Sequence, residues 1–242
     1  MCTGAVFATT YTSTWYNEDG TVYDTSTCQS GGDITLPTAP TKYGYTFIGW
    51  EKAYTRIAYL ESTGTQHIDI PIGTNSGIYI KADIEYTEVT DWAVAIQNRD
   101  NVSSPLFLNQ IDADKNWYIY FNKIIYQTSQ SVSEDVKYHV EINLIPGNSE
   151  YIVNNMQVAS SYINYTIGDY IGLFSTLHAT KGIINQAKVK FYGFQVFNIN
   201  YTLIRDMIPV LDYADVPCMY DKVTGQFFYN SGTGSFIAGP VL

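Results

Sequence analysis

The chain has 242 residues and a net charge of −10, with 45% hydrophobic and only 15% charged residues. Nucleic-acid binding is excluded as a function class, because it depends on clustered Lys and Arg, and the 13 basic residues here are spread singly. No apolar stretch approaches the ~18 residues of a membrane span, so membrane insertion is not expected. Aromatic residues make up 15% of the chain, 22 of them Tyr, and together with many Ile, Val and Thr they predict an all-β protein.

Residues 1–53 are predicted to form a small module of their own. A hairpin is indicated by the step Asp19-Gly20 between two β-type runs. A unit of about 50 residues can bury only a small core. Its expected anchors are Trp15, Phe47 and Trp50.

The stretch from Trp15 to Trp50 resembles the Listeria–Bacteroides repeat, also called the internalin B-repeat. The resemblance is carried by Leu36-Pro37, Pro40, Gly44-Tyr45-Thr46-Phe47 and Gly49-Trp50. It implies a β-grasp-like module of bacterial surface proteins and some phage proteins. The family usually occurs in tandem arrays, and this chain has a single copy, which favours a small domain beside a larger neighbour over a spacer.

Residues 54–242 read as a succession of antiparallel strands. In 77–86 and 136–144 apolar residues alternate with polar ones, as expected for strands with one buried and one wet face. Further strands are predicted at 92–96, 106–108, 117–121, 151–158, 170–174 and 188–197. In the last of these strands the apolar residues stand at odd positions before Gly193 and at even positions after it, which predicts a bulge at Gly193.

The pattern favours a two-sheet jelly-roll sandwich, with an up-and-down barrel as the alternative. The two ends of this region, Tyr59–Asp69 and the stretch from Phe191 to Gly234, resemble the laminin-G/concanavalin-like jelly-roll domains of gut bacteria and their phages. The resemblance implies a domain that binds sugars or proteins or decorates a virion. It is weak in the middle, where such domains vary.

The same residues argue against an enzyme. Glycoside hydrolysis needs two carboxylates facing each other about 5–10 Å apart. The nearest candidates, Asp83-Ile84-Glu85 and Asp112-Ala113-Asp114, lack the spacing of the enzymatic relatives. We read the first pair as the solvated face of a strand, and His67, His139 and His178 have no nucleophile motif beside them.

Aromatic rings are the expected sugar-binding groups, because a flat ring covers the apolar face of a pyranose. If Trp117, Ile119 and Phe121 are core, Tyr118 and Tyr120 stand on the outer face of the same strand. Asn116 lies beside them, and Trp92 follows an acidic loop that could bring it to the same cleft. We therefore predict a ligand site made of Trp92, Asn116, Tyr118 and Tyr120.

No cofactor is expected, although Asp112 and Asp114 resemble the start of a calcium loop. The EF-hand pattern then requires Gly and Glu where this chain has Trp117 and Lys123. A looser calcium site stays open at this loop. The alternative is a polar hairpin loop between two strands.

The setting that fits both resemblances is a virion or a cell surface. The first ten residues lack a basic leader region, and the three cysteines Cys2, Cys28 and Cys218 form no framework beyond one potential Cys2–Cys28 bridge. We expect a head-decoration or tail-associated phage protein whose partners are a glycan or another host-surface component and other virion proteins. The alternative function is that of a secreted bacterial adhesin or carbohydrate-binding module, and the third is that of a glycoside hydrolase. The sequence leaves open whether the protein forms a homo-oligomer.

Overall fold

The computed structural model describes residues 10–17, 21–29, 33–47, 54–73, 77–99, 105–121, 124–162, 167–178 and 182–242. The chain separates into two compact units, Met1–Glu51 and Lys52–Leu242. Every regular element in the described residues is a β-strand, and all pairings between these strands are antiparallel. The all-β prediction is therefore confirmed. The described residues include no helix of the length and apolar character that a bilayer crossing requires.

The first unit contains the predicted hairpin. Strand β1 (Thr10–Tyr16) pairs with β2 (Val22–Gln29), and the register shifts near the turn. The Asp19-Gly20 tip and Trp50 lie outside the described residues. Trp15 is half-buried, whereas Phe47 is 37% exposed and so less enclosed than an anchor should be, as a unit this small offers little interior.

The second unit is a sandwich of two large sheets. Its strands are β3 (Tyr54–Arg56), β4 (Leu60–Glu61), β5 (Ile68–Pro71), β6 (Ile78–Glu88), β7 (Val94–Arg99), β8 (Pro105–Ile111), β9 (Asn116–Phe121), β10 (Ile124–Ser131), β11 (Lys137–Ile145), β12 (Asn148–Val153), β13 (Met156–Ser161), β14 (Tyr170–Leu173), β15 (Thr176–His178), β16 (Gly182–Ile184), β17 (Lys188–Asn198), β18 (Leu203–Asp212), β19 (Pro217–Asp221), β20 (Gln226–Phe228) and β21 (Ile237–Ala238). One sheet has six strands in the order β10-β9-β8-β7-β14-β5. The other has eleven and runs β13-β12-β11-β6-β17-β18-β19-β20, with β3, β4 and β21 paired beside this path.

The core lies between the two sheets and is centred on Trp117 of β9. This indole packs edge-on against Tyr86 of β6 and Tyr138 of β11, with ring centroids 6.1 and 5.4 Å away. Asn109 of β8 crosses the same space, since its Oδ1 accepts a hydrogen bond from the Tyr86 hydroxyl and its Nδ2 donates to Tyr151. A buried amide with partners in the opposite sheet fixes how the sheets face each other.

The long strands follow the alternation read from the sequence. β6 buries every second side chain, and β11 does so as far as Ile142. β17 carries the predicted bulge, because its register on β6 shifts between Phe191 and Gly193. The strand predicted over 151–158 is wrong. Asn154 and Asn155 both have positive φ and form a turn between β12 and β13, a conformation that asparagine tolerates better than most residues.

The two ends of the second unit close on each other. β4 pairs with β21, and Ile57 bridges to Val241. Gln66, 2% exposed, accepts from the Thr63 N–H at 2.8 Å and donates to the Ser235 carbonyl at 3.0 Å. The loop around Gly232-Thr233-Gly234 bends before the final strand β21, and its Thr233 carbonyl accepts from the Thr65 hydroxyl at 2.9 Å, so the two segments that carry the jelly-roll resemblance lie in contact.

Candidate functional site

The outer face of the six-stranded sheet presents three aromatic side chains, Trp92, Tyr118 and Tyr120, which we call the aromatic platform. On β9 the residues Trp117, Ile119 and Phe121 are buried while the alternate ones, Tyr118 and Tyr120, are half-exposed. The Trp92 ring meets the Tyr118 ring edge-on, with centroids 5.6 Å apart and planes at 86°. Trp92 is 42% exposed, so its indole stays open to a ligand.

Trp92 does not begin a strand, as the pattern over 92–96 had suggested. It sits in the turn before β7 with a φ of 64°, a left-handed conformation that bulky residues rarely adopt. Its carbonyl accepts from the Gln110 side chain at 2.9 Å and its N–H donates to the Ile111 carbonyl at 2.9 Å. The neighbouring strand therefore holds this turn in place, and such strain is often associated with functional positions.

Asn116 lies at the start of β9, two residues from Tyr118 and on the same face. Its N–H donates to Asp112 Oδ1 at 2.8 Å. The four residues predicted for the ligand site are thus gathered on one outer surface. Whether they bind a ligand stays a prediction.

The loop at Asp112 is built as a hairpin cap. Asp112 is 5% exposed, and its Oδ1 accepts from the N–H groups of Asp114 and Asn116 at 3.0 and 2.8 Å. Asp212 bonds Ala214 and Val216 in the same pattern. Within the described ranges no group of three or more His, Cys, Asp or Glu side chains could hold a metal ion.

A polar strip continues across the same face, formed by His67, Asp69, Gln97 and Arg99. The register places Tyr120 opposite Leu108, Leu108 opposite Gln97, Gln97 opposite Gly172 and Gly172 opposite Asp69. Directly opposed residues point to the same side of an antiparallel sheet. The platform and the polar strip therefore lie on the same side of the six-stranded sheet, the platform exposed or half-exposed and the Gln97, Arg99 and His67 side chains of the strip buried.

The charged side chains in the polar strip interact with one another. Arg99 bonds Asp69 at 2.9 Å, and its guanidinium lies 4.8 Å from the centre of the Tyr170 ring. Burial lowers the pKa of His67, and Arg99 adds to this while Asp69 opposes it. The imidazole is therefore neutral at pH 7 and can offer one donor and one acceptor.

Gln97 Oε1 and His67 Nδ1 are buried polar atoms of the strip without a hydrogen-bond partner among the described residues, on side chains that are 1% and 7% exposed. The Gln97 side chain lies flat over Gly172, where an added Cβ would come within 2.4 Å of its amide nitrogen. The glycine is what allows this amide to lie across the sheet surface.

The polar strip was not predicted from the sequence. The signal was the run Gln97-Asn98-Arg99 directly after the apolar stretch Ala93–Ile96, since three consecutive polar residues inside a buried strand need specific partners. Asn98 is such a residue on the core side of the strand, and its side-chain amide hydrogen-bonds the backbone of Gly168 and Tyr170.

Comparison with known proteins agrees with this architecture. The family model of the Listeria-Bacteroides repeat domain matches residues 11–69, which is less than half of the chain and runs past the boundary expected near residue 53. No curated protein matches the sequence significantly.

Several solved structures share the fold. A crystal structure of a Bacteroides ovatus protein, provisionally described as carbohydrate binding, aligns with a TM-score of 0.58 and 12% identity over 77% of this chain and 60% of its own. The heptameric SAP-like pentraxin of Limulus polyphemus aligns with a TM-score of 0.50 and 8% identity over 79% of this chain and 96% of its own. A Trypanosoma rangeli sialidase reaches 0.50 and 13% identity, covering 61% of this chain but 27% of the sialidase. At these identities the likeness establishes the β-sandwich fold alone.

Proposed function

We propose that the protein is a non-enzymatic glycan-binding protein whose sugar site is the aromatic platform, flanked by the polar strip. The observation that carries this proposal is the open Trp92–Tyr118 pair on the outer face of the six-stranded sheet. Aromatic rings supply apolar contact with the C–H faces of a sugar, and a few fixed polar groups give orientation. The carbohydrate-binding description of the Bacteroides ovatus neighbour supports the same ligand class.

The absence of catalysis is part of the proposal. Asp69 is the carboxylate on the row that crosses this face, and it is held in an ion pair with Arg99 at 2.9 Å, so it is not free to act as a nucleophile. Asp83 and Glu85, the first acid pair considered from the sequence, lie in the other sheet and bond His139 and Lys190. We expect glycans to be bound and recovered intact.

A glycan array probed with the full chain tests the ligand class. Trp92→Ala and Tyr118→Ala should weaken binding to any array hit roughly ten- to hundredfold, since burying one large side chain is worth about 1.5–3 kcal/mol. Tyr213→Ala is the matched control, because Tyr213 is 76% exposed and outside this face. Binding that survives both platform variants, or no binding to any glycan, would contradict the proposal.

A separate measurement tests the non-enzymatic part. Each bound glycan is incubated with the protein and assayed for new reducing ends. Release that disappears in Asp69→Asn would identify a hydrolase, and we expect none.

We further propose that the protein is a virion accessory component, in head decoration or at the tail, which brings the glycan site to a host surface. The Listeria-Bacteroides repeat match at residues 11–69 supports a surface-exposed role of this kind, and it equally fits a secreted bacterial adhesin. Immunogold labelling of purified particles separates the two. Label on virions supports the phage setting, whereas label on cells alone supports the adhesin.

A further inference from the structure

A second cleft lies in the other sheet, on the outer face of the eleven-stranded one. It has a volume of about 150 Å³ and opens where the β17 bulge faces β6 and β18. Its polar lining consists of Lys81, Asp83, His139, Gln195 and Asp206. A cavity of about this size holds one six-membered ring.

Gly193 forms the floor of this cleft, and nothing in the backbone requires a glycine there. Its φ is not in the left-handed region, and an added Cβ would meet a single atom within 4 Å, the Met207 carbonyl oxygen at 3.9 Å. The bulge predicted at this position exists, but another residue could occupy it without strain. Glycine therefore contributes open space between the surrounding polar side chains.

Those side chains are arranged in two cross-strand rows. Asp83 stands opposite both His139 and Gly193, and His139 Nδ1 lies 2.7 Å from Asp83 Oδ1. In the next row Gln195 stands opposite Lys81 and Asp206, and its amide donates to Asp206 Oδ1 at 3.1 Å. The rows present donors and acceptors to the space above Gly193.

The charges around the cleft are balanced in pairs. Lys222 lies 2.5 Å from Asp206, Lys81 lies 3.7 Å from Glu141, and Lys137 lies 3.6 Å from Asp83. Among the described residues around the cleft each of these lysines is paired with a carboxylate, so an anionic ligand would find no uncommitted cation there. A cationic ligand would have to displace the lysines. A neutral polyhydroxylated ring can bond to paired groups without breaking the pairs.

We propose that this cleft is a second saccharide site, which takes one neutral sugar unit on the sheet opposite the aromatic platform. The proposal is independent of the platform, since no residue is shared. Two sites on opposite faces would let one chain hold two glycan ends, and linked sites gain avidity without any new contact.

Nuclear magnetic resonance on the ¹⁵N-labelled full chain tests the site. The probes are the methyl glycosides of glucose, galactose, mannose and N-acetylglucosamine, added to millimolar concentrations. We expect at least one of them to shift the amide resonances of Gly193 and Gln195 and the side-chain amide of Gln195. Butylamine, a cationic probe, should leave them in place.

Gly193→Val supplies the decisive variant, because its side chain would fill the cleft and valine suits a strand. The shifts at Gln195 should then disappear while any shift of the Trp92 indole remains, and Tyr118→Ala should do the opposite. Gly193→Ala is the milder substitution if valine disturbs folding.

Three results would overturn the proposal. They are the absence of any shift at these resonances in the wild-type chain with all four glycosides, shifts that persist in the folded Gly193 variants, and a larger response to butylamine than to the sugars. In the wild-type titration the Gly193 and Gln195 resonances report on the cleft, and the Trp92 indole resonance reports on the platform. A result that refutes binding at one site therefore leaves binding at the other to be tested on its own.

Discussion

Gln66→Met should destabilise the second unit at the end where β4 pairs with β21. The variant keeps the length of the side chain and removes the amide. The Thr63 N–H and the Ser235 carbonyl, bonded at 2.8 and 3.0 Å, would lose the partner that the 2% exposed Gln66 side chain gives them. Thr63 and Ser235 are themselves exposed, so water can replace part of each bond, and at about 0.5–1.5 kcal/mol for each lost hydrogen bond we expect a loss of about 1–3 kcal/mol. That loss is a substantial fraction of the 5–15 kcal/mol typical of a folded domain.

Urea unfolding followed by circular dichroism measures this loss. Gln157→Met is the matched control, since Gln157 is exposed on β13, and it should change the free energy of unfolding by less than about 0.5 kcal/mol. Hydrogen exchange adds a local readout, because the Ile237 and Ala238 amides should exchange faster when the closure weakens. A Gln66→Met variant as stable as the control would refute the reasoning that this amide holds the two ends together.

Three further outcomes follow from the buried groups. The lowered pKa of His67 means that the unfolded chain binds its proton more readily, so stability should fall as pH drops below about 6.5, and His67→Gln should flatten that slope in denaturation curves. Burial raises the pKa of the Cys218 thiol to about 12, so in a Cys2→Ser/Cys28→Ser variant Ellman's reagent at pH 8 should react only after urea is added. Calcium, and then chelator, should leave the thermal midpoint unchanged because Asp112 Oδ1 already accepts two backbone N–H groups, and a rise of several degrees with calcium would contradict this.

The regular strands were predictable because their side chains alternate between two environments, the core and the solvent. In β6 the apolar residues meet the core and the charged ones meet solvent, so the alternation identifies both the strand and its faces. The same logic located the β17 bulge from a change of parity at Gly193. It also separated Trp117, which is buried, from Tyr118, which is half-exposed.

Other elements escaped prediction for equally physical reasons. Asn154 and Asn155 continue an apparently suitable strand run, and their positive φ values are set by the backbone of the hairpin they close. The polar strip depends on register between strands distant in the chain, since Gln97 and Asp69 come onto one row only through Gly172 of β14. Local patterns contain no information about that pairing.

The closure between β4 and β21 also determines how the second unit would respond to tension. Ala58, Leu60 and Leu242 lie in one antiparallel run, with the Leu242 N–H bonded to the Arg56 carbonyl and the Ala58 N–H bonded to the Pro240 carbonyl. A pull applied between residues 54 and 242 would load these bonds one after another from the same side, as in a zipper, and not all together in shear. Such a pull would therefore open the closure bond by bond, beginning at the bond between the Leu242 N–H and the Arg56 carbonyl.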